Sequence, residues 1–220
     1  GRSAGSRSVP LALTVVVVCA ETTGTPTLSL DLANALRRKG GADGMTQWVE
    51  EYGRAYSIQK IADAYAAAQL KDAPLPDFSA LPWGTEEFVH IARHQNAMTN
   101  EAARRGGPVL VCDTDAFATG IWHERYLGTR SAEVEKAAAL CRGNLYLLTH
   151  HDGVDFEQDG IRDGETIRTW MTGRFIERMQ ETGRRFAVLN GSREERLARA
   201  LRLVEELRVD LRRRRVDEPI

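Results

Sequence analysis

Cysteine is scarce in this chain, with three residues, Cys19, Cys112 and Cys141, spread over 220 positions. That spacing excludes a disulfide framework, and no Cys-x-x-Cys pair offers the usual basis for a zinc site. Reduced thiols in a cytoplasmic protein are the expectation. Neither sign of charge is in excess, because 30 basic side chains face 31 acidic ones. No global field therefore draws in nucleic acid or an anionic membrane, and any polyanion has to be held locally. Long apolar runs are also lacking. The longest, Leu11 to Ala20 interrupted by Thr14, is about half of the ~20 residues that a membrane helix needs. Arg2, Arg7 and the Val18-Cys19-Ala20 ending give that run the outline of a secretory signal, but cleavage there would remove a strand that the rest of the chain requires.

What remains is ordinary globular usage, with 42% hydrophobic and 28% charged residues in a length suited to one domain. Residues 1–9 read as a disordered tail, 10–209 as the domain and 210–220 as a basic C-terminal tail around Arg212-Arg213-Arg214-Arg215.

Short β-branched runs alternate with helical patterns, which calls for parallel strands joined by crossover helices. Leu11 to Cys19 is apolar nearly throughout, as a strand covered on both faces should be. Leu28, Leu30, Leu32, Ala33 and Leu36 then mark a helix that stops at Gly40-Gly41. A second strand is expected at Thr46 to Glu50, a third at Pro108 to Cys112, a fourth at Asn144 to Thr149 and a fifth at Arg185 to Leu189. Between the second and third lie a helix through Ile58, Ile61, Ala62, Tyr65 and Ala68, a proline-rich loop from Lys71 to Gly84, and a helix capped by Thr85 with Phe88, Ile91, Ala92 and Gln95 on one face. The last helix starts at Ser192, with Glu195 at the capping-box position.

The turn after the first strand reads Cys19-Ala20-Glu21-Thr22-Thr23-Gly24-Thr25-Pro26-Thr27. A phosphate-binding loop belongs in this place, where backbone N–H groups and a helix N-terminus converge on an anion. The usual pattern is G-x-x-x-x-G-K-[ST]. Only its second glycine, Gly24, is kept. Cys19 stands for the first glycine, Thr25 for the lysine and Pro26 for the magnesium-binding hydroxyl.

This loop resembles the G-x-E-S-x-G-K-[ST]-x-L loop of the NadR-type ribosylnicotinamide kinase family, in a form degenerate at the Walker A positions. Trp48 to Arg54 (WVEEYGR) resembles the family's W-x-x-E-Y-G-R block, Asp113-Thr114-Asp115 its D-T-D block, and Asp159-Gly160-Ile161-Arg162 its lid segment. Four blocks in order, over roughly residues 10 to 205, make the likeness specific.

The resemblance implies an α/β P-loop NTPase of the nucleoside and nucleotide kinase type, with a five-stranded parallel sheet, helices on both faces and a lid. It further implies transfer of the γ-phosphate of ATP, with Mg2+, to the 5′-hydroxyl of a nucleoside, foremost nicotinamide riboside. Glu51 or a D-T-D aspartate would orient or deprotonate that hydroxyl, Asp113 would serve magnesium, and Asp115 would reach the sugar or else cap the helix after it. Arg162 and Arg168 would act from the lid, and Arg54 would pair with a phosphate or with Glu51. Glu21, Thr22, Thr23, Gly24, Thr25 and Thr27 would hold the nucleotide, Thr27 lending magnesium a hydroxyl. Tyr52, Trp122, Tyr126, Phe117 and Trp83 are the flat or polar groups available to the substrate, Trp122 first among them. His150-His151-Asp152 has no third ligand at suitable spacing and is not read as a metal site. The altered loop keeps two alternatives open: a nucleotide-binding or regulatory module without turnover, and a kinase of another small hydroxylated substrate.

Overall fold

A computed structural model describes residues 12–20, 25–150 and 162–217. Five strands, β1 (Leu13–Cys19), β2 (Gln47–Val49), β3 (Val109–Asp113), β4 (Leu145–Thr149) and β5 (Phe186–Leu189), form one parallel sheet in the order β2-β3-β1-β4-β5. Each lies within two residues of its expected place. The intervening helices are α1 (Thr25–Arg38), α2 (Tyr52–Leu70), α3 (Thr85–Arg104), α4 (Ala116–Leu127), α5 (Ala132–Leu140), α6 (Arg162–Glu181) and α7 (Arg193–Asp217).

The unbroken apolar character of β1 follows from its central position. Successive side chains of a strand point to opposite faces. Val15 and Val17 pack with Leu32 and Leu36 of α1 and Val204 of α7, while Val16 and Val18 pack with Phe88 of α3, Ile121 of α4 and Phe175 of α6. Each fully buried side chain of this size contributes roughly 1.5–3 kcal/mol to folding. The two layers thus hold the sheet rigidly and bring all five carboxyl ends to one edge.

Helix α7 opens with the expected capping box. The Ser192 N–H donates to Glu195 Oε2 at 2.8 Å, and the Glu195 N–H donates to Ser192 Oγ at 3.2 Å. The helix continues through the basic run to Asp217, so Arg212 to Arg214 lie exposed on a helix rather than on a separate strand of chain. Thr85 does not cap α3. Gly84 is the N-cap, its N–H donating to Glu87 Oε2 at 2.8 Å, and the Thr85 hydroxyl instead meets His123 Nε2 at 2.9 Å. The expected apolar face of α2 is not a core face either. Among its residues only Ala68 is buried, because α2 leans on α3 beyond the edge of the sheet and leaves Ile58 and Ile61 lining a cavity.

Among the described residues, no helix is long and apolar enough to cross a membrane.

Candidate active site

Where β1, β2 and β3 end, the chain encloses a cavity of about 440 Å³. Its floor carries Cys19, Glu51, Asp113 and Thr114, and its walls are Trp83, Phe88, Trp122 and Tyr126. In an open parallel sheet the carboxyl edge, at the strand from which the order runs both ways, is where ligands lie. Here β1 is that strand, flanked by β3 and β4.

Two carboxylates share this apolar chamber. Asp113 closes β3 and is only 3% exposed. Burial, reinforced by the neighbouring charge of Glu51, pushes its pKa up to about 7, against a smaller downward pull from Arg54. Glu51 follows β2 as the N-cap of α2, and burial raises its carboxyl above the usual range while Arg54 opposes the shift. The Arg54 Nε lies 3.6 Å from Glu51 Oε2, a loose pair with the arginine largely in solvent. Lys60 is also near the wall, over the Trp83 ring at 4.2 Å, but it is committed to Glu87.

The aspartates of Asp113-Thr114-Asp115 have parted company. Thr114 adopts a positive φ of 69°, which is costly for a β-branched residue, and its N–H donates to the Val17 carbonyl at 2.9 Å. Across this bend Asp113 lines the cavity, whereas Asp115 is withdrawn into the core. One Asp115 oxygen accepts from the Ala118 N–H at 3.1 Å as the N-cap of α4, and the other accepts from the Tyr146 hydroxyl at 2.7 Å. Of the two expectations for Asp115, sugar contact or helix cap, this geometry is that of the cap: both of its oxygens are used in holding β4 to α4. Burial keeps its pKa raised, offset by these hydrogen bonds and by the Arg184 charge. Arg184 itself lies over the Phe117 ring at 4.2 Å.

The remaining candidates divide. Trp122 and Tyr126 stand on the cavity wall, stacked with ring centroids 6.2 Å apart, whereas Phe117 is buried against Tyr146 and Phe175. Tyr52 does not line the cavity. Its ring stacks on His94 at 3.8 Å and its hydroxyl meets His90 Nε2 at 3.0 Å, on the outer side of α2 and α3. Thr25 begins α1 and Thr27 is exposed in that helix's first turn. Arg162 begins α6, and Arg168 is half-buried one and a half turns on. Glu21, Thr22, Thr23 and Gly24 of the phosphate loop, and His151 to Ile161 with the rest of the expected lid, lie outside the described residues. Among the described residues, no three His, Cys, Asp or Glu side chains cluster as a metal site.

Sequence reasoning passed over Gln95 and Thr119, both on the cavity. Gln95 was placed on one face with Phe88, Ile91 and Ala92, and an amide among apolar residues at helical spacing was the available signal.

The fold has known counterparts. A NadR protein in complex with NR superposes with a TM-score of 0.62 at 19% identity over 90% of this chain, and a NadR protein in complex with NAD and AMP-PNP with a TM-score of 0.59 at 18% identity over 90%. This chain spans about half of those proteins, 52% and 49% of their lengths. Thymidylate kinase from Ehrlichia chaffeensis aligns over its whole length, 100%, and over 89% of this chain, with a TM-score of 0.59 at 11% identity. No match is found among curated protein sequences. The family described as AAA domain matches residues 14–196, nearly the whole of the sheet and its helices. The chain belongs to this AAA domain family, with the α/β architecture of P-loop kinases.

Proposed function

We propose that this protein transfers the γ-phosphate of ATP to the 5′-hydroxyl of a nucleoside, with nicotinamide riboside giving its mononucleotide, a step of NAD biosynthesis, as the foremost case. The observation that carries this reading is the pair Glu51 and Asp113 on the floor of an aromatic-walled cavity, at the edge where β1 runs into the phosphate-loop segment. The NadR neighbours, one in complex with NR and one with NAD and AMP-PNP, support it as analogues of the same fold.

Phosphoryl transfer asks a protein mainly to position two oxygens in line and to neutralise charge. In this reading Trp122 and Tyr126 stack the base, and Glu51 orients the attacking hydroxyl and takes its proton, a task suited to a carboxylate whose pKa burial raises. Arg54, and Arg162 and Arg168 of α6, supply cationic contacts to the phosphates. A buried carboxylate, Asp113, and a half-buried one, Glu51, with one loosely bound arginine are a fit environment for a divalent cation. Magnesium would be held by Asp113, directly or through water, and would neutralise phosphate charge. Thr27, exposed and one position late, is its second candidate.

The test is a panel of ribosides incubated with ATP or GTP and magnesium, with products separated by chromatography. Formation of a 5′-monophosphate is the expected result. Ribosides that bind by calorimetry but are never phosphorylated would overturn it in favour of a binding or regulatory module, the reading that Thr25 and Pro26 at the lysine and hydroxyl positions favour.

A further inference from the structure

Helix α2 begins at Tyr52, and its first N–H groups need acceptors. The residue at the N-cap ordinarily supplies one, and glutamate is poorly suited to the task. Glu51 is that N-cap and its side chain makes no capping bond. The acceptor comes from another helix. Gln95 of α3, 1% exposed, accepts the Tyr52 N–H on Oε1 at 2.9 Å and donates from Nε2 to the Glu50 carbonyl at 3.0 Å. One buried amide thus grips the peptide groups on both sides of Glu51. Its orientation is fixed, since only one end can accept and only the other can donate.

We propose that Gln95 is the positioning residue for Glu51: by accepting from the first N–H of α2 and pinning Glu50 and Tyr52 on either side, it holds the Glu51 carboxylate on the cavity floor. This rests on the proposed kinase reading for its kinetic consequence, but not for its structural one. A surface-facing cap could be lost with little more than local fraying. Loss of this one leaves the Glu50 carbonyl and the Tyr52 N–H unpaired, and lets the corner between β2 and α2 relax towards solvent. A displacement of about 1 Å at a reacting group costs on the order of 10²-fold in rate.

Two readouts separate this role from general packing. In protein carrying ¹³C-labelled glutamate, the Glu51 carboxyl is expected to titrate above the ordinary range, since burial disfavours its charged form. In Gln95→Met it should return to that range, with the fold intact by circular dichroism. A folded Gln95→Met protein with unchanged Glu51 titration would overturn the proposal, whether or not the protein is a kinase. Should Gln95→Met fail to fold, Gln95→Asn keeps an uncharged amide but draws it back by one methylene from both Glu50 and Tyr52. An unmoved Glu51 there would be equally adverse.

The second readout is a double-mutant cycle on riboside phosphorylation. Gln95→Met should lower kcat about 10²-fold with KM nearly unchanged, and should add almost nothing to Glu51→Gln, because the two changes act through one group. Additive losses would contradict positioning through Glu51. Absence of turnover in the wild type would count against the kinase reading alone, since the titration still decides the role of Gln95.

Discussion

Around the ends of β2 and β3 the chain carries a buried and a half-buried carboxylate, an arginine and an aromatic wall, whereas the segment after β1 carries Thr25 and Pro26 where the usual pattern has a lysine and a hydroxyl for phosphate and magnesium. The acceptor side of the carboxyl edge is built from several elements that constrain one another: β3 fixes Asp113, the β2–α2 corner fixes Glu51, and α3 and α4 supply the rings. The phosphate side keeps its position in the fold without its charge. The difference teaches that a loop's place in a sheet is decided by hydrophobic pattern and turn geometry, while its chemistry rests on two or three side chains that the fold does not need. Proline even suits a helix start, so α1 survives the substitution.

The comparison can be broken most severely from the acceptor side. Asp113→Asn should lower riboside phosphorylation by about 10³-fold, within the span for loss of a charged group at the reacting centre, while the protein stays folded. Full activity in a steady-state assay would remove Asp113 from the mechanism. Asp115→Ala should act on stability instead. It leaves the Tyr146 O–H without its Asp115 acceptor and the α4 N-terminus without its cap, and about 3 kcal/mol is expected from denaturant unfolding. Loss of activity in Asp115→Ala without any loss of stability would return Asp115 to the site.

On the phosphate side, Thr25→Lys combined with Pro26→Ser should raise turnover with ATP by roughly 10-fold, the scale of a single phosphate contact regained. No gain would mean that the acceptor side, or groups elsewhere, already supplies the charge. The smallest effect is on pH-dependent stability. Folding raises the pKa of Asp113 from its ordinary 3.8 to about 7, so the protonated form is favoured in the folded state, and that contribution is lost as pH rises through about 7. Asn cannot ionise. Ligand-free Asp113→Asn should therefore match the wild type near pH 4 and become more stable above pH 7, by about 1–2 kcal/mol after relaxation of the site. Parallel thermal melts across this range would reveal the gap, and coincident curves would contradict the shift.

Much of the fold was legible in the sequence because β-branched runs of strand length, covered on both faces, have few alternatives. The capping box at Ser192 and Glu195 likewise carries its geometry in its spacing. The site was legible in part. Glu51, Arg54, Asp113, Trp122 and Tyr126 were named, and all five line the cavity. Trp122 and Tyr126 lie one helical turn apart and share a face, while Phe117, about 140° round the helix from Trp122, turns to the core. Asp115 was legible only as an alternative, sugar contact or cap, because which of the two a carboxylate after a strand serves depends on the bend before it, and the positive φ of Thr114 leaves no trace in composition. Tyr52 was named from the block it shares with Glu51 and Arg54, and its ring lies against His90 and His94, off the cavity lining. Gln95 acts through main-chain groups 43 and 45 residues away, a pairing that no local pattern announces.

The most direct test of an acceptor side that does the chemistry is phosphorylation of nicotinamide riboside by the wild type and by Glu51→Gln, with riboside binding measured alongside. The account predicts magnesium-dependent formation of the mononucleotide by the wild type, and at least a ~10²-fold lower rate in the variant with binding retained. A Glu51→Gln protein that turns over at the wild-type rate would contradict it.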